Sequence, residues 1–134
     1  MGYRSEVHIG VAFASADDLK EVVAVYTIDP RVQKLDLLKE WEVKEDNILY
    51  YHGDYVKWYD SYEDVQGIEH MLNLVDQFHI DRDIPIAYRF IRLGEDIHDC
   101  EERCENGGGG GDDGTLIEKL FDGMSVTRHV EILL

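Results

Sequence analysis

Between Ile84 and Cys104 the chain reads IPIAYRFIRLGEDIHDCEERC, and this run joins two opposed chemistries. Ile86, Tyr88, Phe90 and Ile91 read as a core strand, with Arg89 and Arg92 interrupting it. Past Gly94 the same run becomes the most acidic part of the chain. From Gly94 to Glu118 there are nine acids and one base, Arg103. A buried strand therefore feeds directly into a charged surface. The two arginines on a core strand are expected to pair with carboxylates rather than hold a ligand.

A second strand is written into EVHIGVAFA, Glu6 to Ala14. Val7, Ile9, Val11 and Phe13 point one way, while His8, Gly10 and Ala12 form a small opposite face that something can approach closely. Ser15 caps a helix carrying Asp17 and Asp18 in its first turn and Leu19, Val22, Val23 and Tyr26 at helical spacing. Asp29-Pro30 breaks it and starts a short second helix, with Pro30 at its first position. The segment ILYYHGDYVKWY reads as a hairpin turning at Gly53-Asp54, rich in aromatics that suit cross-strand pairing. Ser61 is the expected cap of a long helix whose apolar face runs Val65, Ile68, Met71, Leu72, Val75 and Phe78.

Further along, residues 106–114 read as a flexible glycine-rich loop. They lack the Lys-Ser/Thr of a phosphate-binding loop. Leu116 to Phe121 and Val126 to Leu133 are expected to be short strands. The order strand, helices, hairpin, helix, strand predicts one α+β domain over residues 1–134. Its plan is a two-layer ferredoxin-like βαββαβ sandwich with additional C-terminal strands.

At 134 residues the chain is long enough for one core without disulfide or metal support. Its 29 acids against 13 bases leave a net charge of −16. That field repels phosphate backbones and anionic membranes, so direct binding of nucleic acid or membrane is disfavoured and basic partners are favoured. No apolar run reaches the ~18 residues of a membrane helix, and no export signal is evident, so a cytosolic setting is expected. Cys100 and Cys104 are then expected as reduced thiols. On an extended strand residues four apart are roughly 13 Å apart, too far for a bridge, whereas one turn of helix would allow it sterically.

Three segments, MGYRSEV, KWYDSYEDVQGIE and RFIRLGEDIHDCEE, resemble a family of small acidic proteins of tailed bacteriophages and prophages. The resemblance spans the first strand, the long helix and the strand into the acidic segment; the five-glycine stretch departs from it as a local insertion. It carries no catalytic residues across. What it implies is a phage accessory protein acting in the cytoplasm of the infected bacterium, where such proteins often bind and divert host machinery.

Three chemistries compete for the polar residues. His98, Cys100, Glu102 and Cys104 alternate, and their donor types suit zinc, but ligands at every second position of one straight strand are too splayed for one ion. Glu95, Asp96, Asp99 and Glu101 are the right type to hold Mg²⁺ beside His8 or His129 as a base, yet no motif ties them together. The preferred reading is a non-catalytic docking surface of Glu95, Asp96, Asp99, Glu101 and Glu102, with no cofactor. Its partner would be a basic or DNA-binding protein of host or phage. A DNA-mimic inhibitor is the first alternative and a small metal-dependent hydrolase the second. The hydrolase requires a concave pocket where His8, His52 or His129 meets two carboxylates; the docking module requires a continuous exposed patch.

Overall fold

The computed structural model describes residues 3–96, 98–107, 115–126 and 130–132. It is an α+β fold built on a five-stranded antiparallel sheet. The elements run β1 (Ser5–Phe13), α1 (Ala16–Tyr26), α2 (Pro30–Leu35), β2 (Trp41–Lys44), β3 (Ile48–Val56), α3 (Glu63–Arg82), β4 (Ile86–Gly94) and β5 (Cys100–Gly107). They continue with α4 (Thr115–Gly123), β6 (Met124–Val126) and β7 (Val130–Ile132). The strand order is β2-β3-β1-β4-β5, and β6 pairs with β7 as a separate two-stranded sheet.

β1 sits at the centre because both of its faces have something to bury against. Val7, Ile9, Val11 and Phe13 lie in the main core with Leu19, Val22 and Tyr26 of α1 and Ile68, Met71, Leu72 and Val75 of α3. The opposite face is covered in part by α4, whose Leu116 and Leu120 pack with Ala12, Ile48 and Ala87. Gly10 is the contact point: a Cβ there would lie 2.9 Å from Leu120 Cδ2 and 3.0 Å from Met124 Sδ. The small face of β1 is thus what admits the fourth helix.

Two helix starts follow the sequence chemistry closely. Ser15 Oγ accepts from the Asp18 amide at 3.1 Å, and Asp29 Oδ1 accepts from the Arg31 and Val32 amides at 2.8 and 3.4 Å with Pro30 behind it. A buried relay ties α1 to α3. Trp41 Nε1–H donates to the Tyr26 hydroxyl at 3.1 Å, and that hydroxyl donates to the Gly67 carbonyl at 2.9 Å. Burial pushes the Tyr26 phenol up to about 12, so it stays a donor. Tyr26→Phe leaves the Trp41 indole N–H buried and unpaired and takes from the Gly67 carbonyl the bond it accepts from outside α3, and a loss of about 1–3 kcal/mol is expected in urea unfolding.

Four expectations are corrected. Leu116–Phe121 is helical, within α4, because Leu116, Ile117 and Leu120 recur at helical spacing and find an apolar sheet face to cover. The long helix starts at Glu63, with Tyr62 at the cap and no side-chain cap bond, so Ser61 is not its cap. No hairpin turns at Gly53-Asp54, since Ile48–Val56 is one strand; the hairpin is β2–β3, turning through Glu45–Asn47 with Asn47 at φ 59°. β5 runs on to Gly107, so residues 106 and 107, expected in the glycine-rich loop, belong to a strand; residues 108–114 lie outside those described.

What Gly53-Asp54 marks instead is a β-bulge. Ser5 faces Val56 and Val7 faces Gly53, so β3 spends one residue more than β1 over the same span. Tyr55, inside that bulge, takes φ 59°. A fifth correction concerns the strand expected over 126–133: Val126 ends β6 and Val130–Ile132 forms β7, and the two pair antiparallel with Val126 facing Val130, so this stretch is not one strand; residues 127–129 lie outside those described. Among the described residues, no helix is long and apolar enough to cross a membrane.

Candidate functional site

The acidic run after β4 does not form one surface. The Gly94 amide donates to the Asp99 carbonyl at 2.8 Å and the Asp99 amide to the Asp96 carbonyl at 2.9 Å, which folds residues 94–99 into a tight connection. Arg92 then grips Asp99 with both terminal nitrogens, at 3.0 and 2.8 Å, and reaches Glu101 at 3.1 Å and Ser5 Oγ at 3.1 Å. Tyr3 completes the cluster, donating its hydroxyl to Asp99 at 2.6 Å and accepting from the Asp96 amide at 3.0 Å. Glu102 lies on the opposite face of β5, bonded to the buried Arg89 at 2.6 Å. Asp99, Glu101 and Glu102 are therefore counter-ions of the chain's own arginines, as the arginines on the core strand had implied.

The hydrogen bonds from Arg92, and then Tyr3, hold the Asp99 carboxyl down to about 2. Because this value lies below the ~3.9 of an unfolded aspartate, the cluster stabilises the fold fully above about pH 4. That contribution is lost as pH falls through about 2. An NMR titration of the Asp99 carboxyl is expected to give a midpoint near 2, and Arg92→Ala is expected to move it up towards the ordinary range.

Glu95 and Asp96 remain exposed and outside these ion pairs. Glu95 accepts from the Arg4 amide at 2.5 Å, and Asp96 caps its own turn by accepting from the His98 amide at 2.9 Å. Glu95 joins Glu6, Asp54 and Tyr55 around a cleft of about 360 Å³ at the ends of β1, β3 and β4. Arg4 is the cation in this cleft, and its guanidinium sits 5.4 Å from the Tyr55 ring centroid. Tyr55 is 66% exposed.

Next to that cleft, on the sheet face that α4 leaves partly open, lies a cluster that sequence reasoning did not assemble. Glu6 and His8 are two apart on β1, and His52 is the cross-strand partner of His8 on β3. His8 is 2% exposed. Its Nε2 lies 2.6 Å from Glu6 Oε2 and its Nδ1 2.5 Å from the Tyr50 hydroxyl. His52 stacks on it at 4.2 Å between ring centroids, with its Nε2 3.8 Å from the same Glu6 oxygen. Burial is the main force lowering the His8 pKa, with the Glu6 hydrogen bond opposing it and His52 adding to it. The ring is therefore neutral. Since Glu6 can only accept, Nε2 carries the proton and Nδ1 accepts from Tyr50.

Of the histidines named as bases, His8 and His52 thus meet at one bonded carboxylate, and His129 lies outside the described residues. His98, Cys100 and Cys104 are not brought together as ligands. Among the described residues, the group whose donor atoms converge is Glu6, His8 and His52. The cysteines are unpaired and exposed, and Cys104 Sγ contacts Glu102 at 3.5 Å. The Glu-x-His pair was readable as one face of a strand. Its third member was not, because His52 joins it only through the β1–β3 register.

Fold and site together define a small α+β sheet domain with an acidic cleft and an adjoining histidine–carboxylate cluster. No family model, no curated protein and no solved structure matches the chain.

Proposed function

We propose that the chain is a non-catalytic acidic module that docks a basic or DNA-binding protein, as a phage-type accessory protein in the bacterial cytoplasm. Tyr55 is the observation that carries this reading. A bulky side chain at φ 59° costs on the order of 1–3 kcal/mol, and such strain concentrates at functional positions. Here it turns an aromatic ring into solvent beside a cleft rimmed by Glu6, Asp54 and Glu95. Aromatic anchors ringed by charge are the usual centres of binding energy, and the net charge of −16 selects a basic partner and speeds encounter. The acids that matter are then Glu95 and Asp96 with Glu6 and Asp54, while Asp99, Glu101 and Glu102 serve the fold. The run β2-β3-β1-β4, with α1 and α2 after β1 and α3 after β3, supports a ferredoxin-like core to which β5 is added.

Affinity capture of the tagged protein from a bacterial lysate, at low and moderate salt, tests the docking reading. Tyr55→Ala and the double change Glu95→Lys with Asp96→Lys are each expected to lower capture of the dominant partner by about tenfold or more. Release of that partner by added DNA would identify the docking as DNA mimicry. Variants that capture as well as the parent, with the same salt dependence, would place the contact elsewhere.

A further inference from the structure

We propose that Glu6, His8 and His52 form a binding site for one zinc-class divalent transition ion, with Tyr50 as the positioning residue for His8. The donor set is two imidazole nitrogens and one carboxylate oxygen, which suits zinc and its neighbours rather than calcium or magnesium. The three donor atoms lie within 4.8 Å of one another. In a tetrahedral site with bonds of about 2.0–2.1 Å, neighbouring donors are about 3.3 Å apart. The observed 2.6 Å between His8 and Glu6 and 3.8 Å between His52 and Glu6 bracket that spacing. Small side-chain shifts therefore open the site for an ion.

Sheet geometry supplies what a single strand cannot. Glu6 and His8 share one face of β1, and the ligand that closes the angle comes from directly across the ladder, at His52. Rigidity is graded in the way a metal site needs. His8 is buried and held at Nδ1 by Tyr50, whereas the His52 side chain is 42% exposed and free to swing out of the ring stack towards the ion. Glu6 and His52, whose side chains are 27% and 42% exposed, form the solvent side of the cluster. When Nε2 of His8 takes the ion, its proton is displaced and the neutral ring carries its hydrogen on Nδ1. The Tyr50 hydroxyl then accepts where it had donated, so one hydrogen bond serves both states. A ligating histidine with its second nitrogen bonded in this way is the usual arrangement, and removing such a partner costs about 10- to 100-fold in affinity.

The test is titration of the full chain with Zn²⁺ by calorimetry and with Co²⁺ by visible absorption. One ion per chain is expected, with d–d bands in the Co²⁺ spectrum. His52→Ala and Glu6→Gln alter partly exposed side chains, so the sheet is kept. Each is expected to weaken binding at least tenfold, with circular dichroism unchanged. Tyr50→Phe keeps the packing and is expected to weaken binding about 10- to 100-fold and shift the bands. Glu95→Lys with Asp96→Lys is expected to leave the ion bound, which separates this site from the docking cleft. Absence of binding, or binding that survives both His52→Ala and Glu6→Gln, overturns the proposal. So does a thiolate-to-cobalt charge-transfer band, which would assign the ion to Cys100 or Cys104.

Discussion

Replacing Phe90 by alanine is expected to cost about 3–5 kcal/mol, the range for deleting a buried aromatic ring. Phe90 is fully buried at the middle of β4, paired with Ile9 of β1 on one side and Arg103 of β5 on the other. Its ring lies 6.0 Å from that of Trp58, and the Arg103 guanidinium stacks 4.1 Å from its centroid. The cavity opens where strands and aromatic cluster meet, and β1 and β4 are held too tightly by their ladder to close over it. A typical domain has about 5–15 kcal/mol in total, so the loss is a large fraction of the whole. Urea unfolding followed by tryptophan fluorescence should show a lower midpoint with an unchanged slope. A cost near 1 kcal/mol would mean that the site collapses and that Phe90 is not central to the core.

The second large effect is local. Arg89 is 6% exposed on the other face of the sheet. It donates to Glu102 at 2.6 Å and to the Met124 carbonyl at 2.5 Å, and its guanidinium lies 4.3 Å from the Phe121 ring centroid. One side chain thus pins α4 and the start of β6 to the sheet. Breaking a buried ion pair costs about 3–5 kcal/mol when the abandoned charge stays buried. Glu102 is partly exposed and regains water, so about 2–3 kcal/mol is expected for Arg89→Ala. Hydrogen exchange should rise across residues 116–124 while β1 and β3 stay protected. Arg89→Met restores the apolar stem without the charge, and is expected to recover part of the packing but not the hold on Met124. Uniform loss of protection across the molecule would show that α4 is not a separately tethered element.

Both residues illustrate how far the sequence could be read. The alternation through Phe90 identified a core strand, and an arginine inside it implied a carboxylate partner. Which carboxylate remained undetermined, because Glu101 and Glu102 are adjacent in the chain yet face opposite sides of β5. A one-residue difference in register exchanges their partners. The acidic run therefore looked like one surface when read along the chain. In three dimensions the pleat divides it between Arg92 on one face and Arg89 on the other, leaving Glu95 and Asp96 at the turn. Gly53-Asp54 misled for a related reason. Glycine with aspartate marks a departure from regular extended backbone, and a bulge satisfies that as well as a turn does.

The period of the apolar residues determined the α+β class, the core strands β1 and β4 and the long amphipathic helix α3, because burial of one face is a local property of a strand or helix. Ser15 and Asp29 likewise determined their own helix starts through bonds to amides two or three residues away. The convergence of Glu6, His8 and His52, the outward turn of Tyr55 and the choice of counter-ion for each arginine depend on which strands lie side by side and in what register. Those are contacts between residues far apart in the chain, and only the folded sheet decides them.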